Sequence, residues 1–300
     1  MSRRAKILLA FGLYLLIVVA VAAIFGSEGK NDAFKPVEEF RLNPWIKIKL
    51  GPIDMSINKA VFYLFLAAGL TVGTMVYLSR KMQQRPNRVQ TAVEAAYNLT
   101  YNTITRGNMD GGMAARWFPF VATLFFFIWF SNLIGYLPLP VNTQEKIDVF
   151  GLRIPALSLY AATANLSIPL VLTLLVWFTY QVEGIRAKGV RGYFRSWIPS
   201  GTPPKMRPFI FGIEVISQFV RIISLSVRLF ANILAGHLLL LFMGGGLAVL
   251  LGLAALGVLT LPLAFVFFLF EVGLVATLQA FIFATLTSIY FGEATAAHGH

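Results

Sequence analysis

The sequence predicts an all-α, polytopic membrane protein whose C-terminal part is a hairpin of two long, tilted helices. Three observations lead there. Hydrophobic residues make up 57% of the 300 positions and charged residues only 13%, against about 25% charged in soluble domains. Several apolar runs reach the roughly 18 residues a membrane helix needs. The basic residues lie in short segments flanking those runs, where lipid headgroups and the positive-inside rule account for them. The formal charge of +12 is therefore read as a membrane signature, and no nucleic-acid partner is expected. The chain has no cysteine, which excludes disulfides, thiolate metal sites and cysteine nucleophiles.

The elements follow in order. Residues 1–59 hold a first apolar run, 7–25, after Arg3, Arg4 and Lys6. A signal peptide and a retained helix both fit it, and the segment after it, with Pro36, Pro44 and Pro52, reads as an external loop. Residues 60–88 form a span ending in the basic cluster Arg80, Lys81, Arg85 and Arg88, a cytoplasmic flank. Gly69 and Gly73 form a small-xxx-small pair suited to close helix packing. In 89–115 the period changes. Val89, Val93, Tyr97, Tyr101 and Ile104 recur at steps of three and four, as on an amphipathic interfacial helix. Residues 116–182 read as a membrane helical hairpin with spans 117–136 and 156–180. Residues 183–207 carry Arg186, Lys188, Arg191, Arg195, Lys205 and Arg207 and read as a basic cytoplasmic loop.

Residues 208–300 differ in kind. Between positions 208 and 290 the only charges are Glu214, Arg221, Arg228 and Glu271, with one histidine, His237. At ~1.5 Å per residue a single helix of this length would exceed three bilayers, so the chain must double back, and Gly244, Gly245 and Gly246 are the expected turn. Glu214, Arg221 and Arg228 are spaced by seven, which returns each to within about 20° of the last on a helix. Ser217, Gln218 and Asn232 fall near the same stripe. His237 faces elsewhere, towards a returning helix that carries Glu271 and Gln279.

Charges inside a bilayer are costly and mark ion pathways. Glu214 and Arg221 could pair along the helix or snorkel, and His237 could be a satisfied buried histidine. Arg228 has no nearby acid on its own helix, so its partner is expected on another helix or another protein. The titratable groups form a spread-out line, as proton movement requires, and no nucleophile–base pair, nucleotide loop or metal motif is present. The terminal His-Gly-His is too short for a metal site. No metal, cofactor or catalytic activity of the chain's own is expected.

The stretch SLSVRLFANILAGH (224–237) closely resembles the signature of subunit a of F-type ATP synthases. IEVISQFVR (213–221), FSNLIGYLP (130–138), ATANLSIPL (162–170) and LQAFIFATLTSIYFGEA (278–294) agree with it. The resemblance covers about residue 92 to the C-terminus. It implies a non-catalytic stator whose signature arginine, Arg228, faces a rotating ring of small carboxylate-bearing hairpin subunits. Two offset half-channels serve that ring, an outer one through His237, Glu271, Gln279 and Asn232, with Asn132 and Asn165 as possible members, and a cytoplasmic one through Glu214 and Ser217. Arg221 is a further possible member of the pathway. Peripheral-stalk subunits, the soluble ATPase head (indirectly) and the bilayer are the other implied partners, in a bacterial plasma membrane with the C-terminus in the cytoplasm.

The sequence departs from that pattern in four places. Asn165 stands where many members have an acid, and Ile222 and Ala231 where many have proline and glycine. Glu271 precedes Gln279 by eight residues where seven is usual, a rotation of about 100° unless a bulge restores the register. A secondary transporter or channel is the competing reading, but the internal repeats and broken helices common in transporters are not found.

Overall fold

The structure, a computed structural model, describes residues 3–25, 42–50, 53–81, 88–139, 146–149, 152–155, 159–199, 201–246 and 254–296. Much of the expected external loop, Arg85, the segment after the glycine run and the terminal histidines lie outside the described residues. The helices are α1 (Arg3–Phe25), α2 (Lys59–Lys81), α3 (Arg88–Asn98), α4 (Gly111–Gly135), α5 (Ser167–Ser196), α6 (Arg207–Leu241), α7 (Ala254–Phe270) and α8 (Ala276–Thr295). Among the described residues, five helical segments are long and apolar enough to cross a membrane: Lys59–Tyr77, Gly111–Gly135, Ser167–Ser196, Arg207–Gly244 and Ala255–Thr295. The two C-terminal ones have 38 and 41 residues, against about 20 needed for a perpendicular span, as the sequence leads one to expect. Among the described residues, strand structure is confined to two short antiparallel hairpins in connecting segments, Lys49–Leu50 with Ile53–Asp54 and Lys146–Val149 with Leu152–Pro155.

The chain divides into two compact units. The larger comprises residues 60–137, 161–233 and 276–300. Its centre is α8 packed on α4 and α5. Small residues let α8 come close: Ala276, Ala280, Ala284, Thr287 and Ser288 are all buried, the usual device where lipid offers no hydrophobic drive between helices. Aromatic rings fill the remaining space, with Trp117 and Phe291 centroids 4.5 Å apart. The amphipathic segment is α-helical over Arg88–Asn98 and winds as a π-helix over Leu99–Thr105. Its tyrosines meet α4, since Tyr97 and Tyr101 both make T-shaped contacts with Phe118. Gly69 and Gly73 have open space around them. The buried side of α2 is instead Ala60, Tyr63, Ala67 and Thr71.

The segment expected as a basic loop is largely helical, because α5 runs to Ser196. Positively charged side chains beyond an apolar core are compatible with helix, and the break comes at Gly189, whose φ of +71° favours glycine. The chain after it turns Tyr193 back onto Gly184, where any Cβ would collide with the ring.

The smaller unit comprises residues 1–59, 138–160 and 234–275. Here the doubling back is direct. Phe242–Gly246 forms a π-helical end to α6, and Thr260 Oγ1 of α7 donates to Met243 O at 2.7 Å. Seventeen residues apart on one helix, those atoms would stand roughly 25 Å from each other. α1 packs on α7. Pro262 lies inside α7 and has no N–H to give to the carbonyl four residues back, which is that of Val258. The Tyr14 hydroxyl of α1 donates to that carbonyl, and also lies 3.0 Å from Leu259 O.

Candidate functional site

Helix α6 sorts its residues by face. Gln218, Leu225, Ser226, Leu229 and Ile233 are buried, at helical spacings that define an inner stripe. Ile216, Val220, Ile223 and Val227 are exposed apolar positions. Arg228 is exposed as well. Its Nη2 donates to Ser224 Oγ at 3.3 Å, one turn back. Among the described residues it has no ion pair with an acid of its own chain.

Seven residues earlier the environment is reversed. The Arg221 Nη1 lies 2.7 Å from Glu293 Oε2 on α8. Its guanidinium also sits over the Tyr290 ring, 4.8 Å from the centroid, a favourable cation–π placement. The helix ion pair with Glu214 that the spacing allowed is not the one formed. Glu214 Oε1 accepts from Gln218 Nε2 at 2.8 Å. Gln218 Oε1 in turn accepts from Tyr180 OH at 2.7 Å and from Gln181 Nε2 at 3.2 Å. Tyr193 OH donates to Gln181 Oε1 at 2.5 Å. These bonds fix both amides, each taking a donor on oxygen and passing one on from nitrogen. The chain runs from Tyr193 through two glutamines to the Glu214 carboxylate.

Beside this chain lies a cavity of about 250 Å³ lined by Tyr193, Trp197, Glu214, Gln218, Arg221 and Glu293, among others. Water needs a roomy site with several polar partners, and this one supplies two carboxylates, a guanidinium and tyrosine hydroxyls. Arg228 does not line it. Ser217 is half-buried and Asn232 exposed on α6.

The other expected residues divide between the two units. In the smaller unit His237 and Glu271 are both buried. The Glu271 carboxylate lies against the backbone of Gly236, where a Cβ would collide with it, so the acid sits beside the turn that carries His237. Residues Glu271–Val275 form a π-helix, the kind of turn that takes in one extra residue. In the larger unit Gln279 is buried. Asn132 is fully buried, accepting from Thr163 Oγ1 at 2.7 Å and donating to Ala276 O at 3.3 Å. It ties α4 to α8 and to the turn before α5. Asn165 closes a turn instead, its Oδ1 accepting from Ser167 N and Oγ.

Sequence reading missed Tyr180, Gln181, Tyr193 and Glu293. One signal was available for Glu293. Two steps of seven from Gln279 reach it, so both lie on one side of α8.

A multi-span helical membrane protein with titratable groups along its longest helices, and an arginine with no acid beside it among the described residues, has the features of an ion-translocating membrane subunit. The comparison with known proteins narrows this. The ATP synthase A chain family matches residues 61–292, and the chain belongs to that family. It is 33% identical to the ATP synthase subunit a of Hyphomonas neptunium over 274 residues, covering 89% of this chain and 98% of that protein. It is 34% identical to the ATP synthase subunit a of Rubrobacter xylanophilus, over 82% of this chain and 86% of the other. The ATP synthase subunit a of Beijerinckia indica is also 34% identical, over 86% and 95%. Membership carries proton transport linked to ATP synthesis by a membrane subunit of the complex.

Proposed function

We propose that this chain is the stator that passes protons to and from a rotating ring of small carboxylate-bearing hairpin subunits, through two offset half-channels in a bacterial plasma membrane. The observation that carries the reading is Arg228, a permanent cation on an exposed position of an apolar helix, bonded among the described residues to Ser224. Arginine keeps its proton in any surroundings, so it needs an anion, and its own chain supplies none among the described residues. A carboxylate passing on the ring would supply it in turn.

The physics then runs as follows. In lipid the ring acid must be neutral, because an isolated carboxylate in hydrocarbon is too costly. Beside Arg228 the ionised form is favoured, since a nearby opposite charge stabilises it. The acid therefore loses its proton at the stator and regains one from the other half-channel before re-entering lipid. The same fixed charge repels protons that would hop between the half-channels. Each elementary charge crossing releases about 2.3 kcal/mol per 100 mV, and the offset of the two routes converts that into rotation.

The cytoplasmic route draws on Glu214 and Ser217, beside the polar cavity. The outer route draws on His237 and Glu271, with Gln279 and Asn232. Arg221 lines the same cavity as Glu214, but Glu293 already engages it. Peripheral-stalk subunits hold the chain still against the ring, and the soluble head makes the ATP.

The test is proton-driven ATP synthesis in vesicles carrying the assembled complex. Arg228→Ala abolishes it. Arg228→Lys largely does so too, because an ammonium lacks the planar fork and loses its proton more readily when desolvated. Synthesis at the wild-type rate from either variant contradicts the reading.

A further inference from the structure

The cavity beside α6 holds two carboxylates, Glu214 and Glu293, and one guanidinium, Arg221. Which acid takes the cation decides what the other can do. Glu214 and Arg221 share a helix at a spacing of seven, two turns apart on one face. Arg221 is nonetheless bound to Glu293 at 2.7 Å, and Glu214 is left with the neutral Gln218 amide. The two partners differ in exposure: the Arg221 side chain is 24% exposed and that of Glu293 54%. The cation is thus drawn towards the outer part of the site by an acid from a different helix.

From this arrangement we propose that Glu293 is a positioning residue, whose task is to hold Arg221 away from Glu214 so that Glu214 stays available to exchange protons with water in the cavity. The proposal rests on the cytoplasmic route through Glu214 described above. A carboxylate locked to a guanidinium strongly favours its ionised form and takes up protons poorly. Glu214, bonded to a neutral amide, is not locked to a fixed charge and faces the cavity. Without Glu293, the Tyr290 face still attracts the guanidinium but carries no net charge. Glu214 is then the remaining carboxylate of the cavity lining, and Arg221 turns to it.

This predicts an asymmetry that a merely structural ion pair would not give. ATP-driven proton pumping is measured in vesicles carrying the assembled complex, with assembly read by copurification of ring and head. Glu293→Gln lowers pumping about tenfold, Arg221→Gln by itself keeps it within about twofold, and the double variant returns to within about threefold of wild type. Wild-type pumping by Glu293→Gln overturns the proposal, as does a double variant no better than Glu293→Gln. If Glu293→Gln fails to assemble, Arg221→Gln decides. A loss of pumping there makes the pair structural and overturns the proposal, whereas retained pumping with recovery of assembly in the double variant supports it. Glu214→Leu separates this inference from the reading beneath it. Unchanged pumping in that variant removes the route and the inference together. Loss there beside a neutral Glu293→Gln removes the inference alone.

Discussion

Two stretches of helix α6, one around Arg221 and one around Arg228, carry the same residue type on nearly the same face, two turns apart. Around Arg221 the chain has built a complete environment: an acid at 2.7 Å, an aromatic face and a polar cavity lined by tyrosines, Gln218 and Glu214. Around Arg228 it has built almost nothing, a serine hydroxyl at 3.3 Å among exposed apolar side chains. A fold that can satisfy one arginine so thoroughly could have satisfied the other. On the function proposed above, the first cation is part of the architecture and the second is offered outward.

The comparison breaks most sharply if the second stretch is made to resemble the first. Ser224→Asp places a carboxylate one turn before Arg228, where the hydroxyl already reaches it, in the acid-before-base order that suits a helix pair. Arg228 would then hold a permanent partner in its own chain, and a passing ring acid would have to displace it. Proton-driven ATP synthesis is expected to fall about tenfold or more, with the complex still assembled. Undiminished synthesis would mean that an internal counter-ion at this position is harmless, and the distinction between the two stretches would lose its functional content.

The opposite operation dismantles the first stretch. Gln218→Leu removes the hub that joins Tyr180, Gln181 and Glu214. Tyr180 and Gln181 are buried, and stranding a buried polar group costs about 1–3 kcal/mol. The expected result is a lower detergent or thermal stability of the complex with a loss of pumping of only a few-fold, smaller than that of Ser224→Asp. Gln218→Glu would not serve, since it adds a third carboxylate to the cavity. A Gln218→Leu complex of wild-type stability would show that the amide chain is a by-product of packing.

What the sequence made legible follows the same line. The spans could be read because lipid imposes a length and a composition on them, and Arg228 because a charge in an apolar run is costly enough to stand out. The wall around Arg221 could not be read. Tyr180 and Tyr193 close apolar or basic stretches and look like interfacial aromatics, and Gln181 and Gln218 are 37 positions apart. Glu293 follows the last long apolar run and looks like a solvated terminal acid. Glu271 sits between these cases. The extra residue before Gln279 was countable, but only the backbone shows a π-helical turn at Glu271–Val275. Helix α5 extended into the basic segment for a related reason: charge disfavours the bilayer, not the helix.

The finest test concerns Ser224 itself. If Arg228 owes its position to that hydroxyl, then Ser224→Ala should behave as a weaker Arg228→Ala. The geometry argues otherwise. A 3.3 Å contact between an exposed guanidinium and an exposed serine is long for a charge-assisted bond, which runs closer to about 2.7–2.9 Å. Several Arg228 donors remain after it, because a guanidinium has five N–H groups in all. Ser224→Ala should therefore leave ATP synthesis within about twofold of wild type, measured in the same vesicles as the aspartate variant. A larger loss would mean that Arg228 is held in place by its own chain after all, and that the two stretches differ in degree and not in kind.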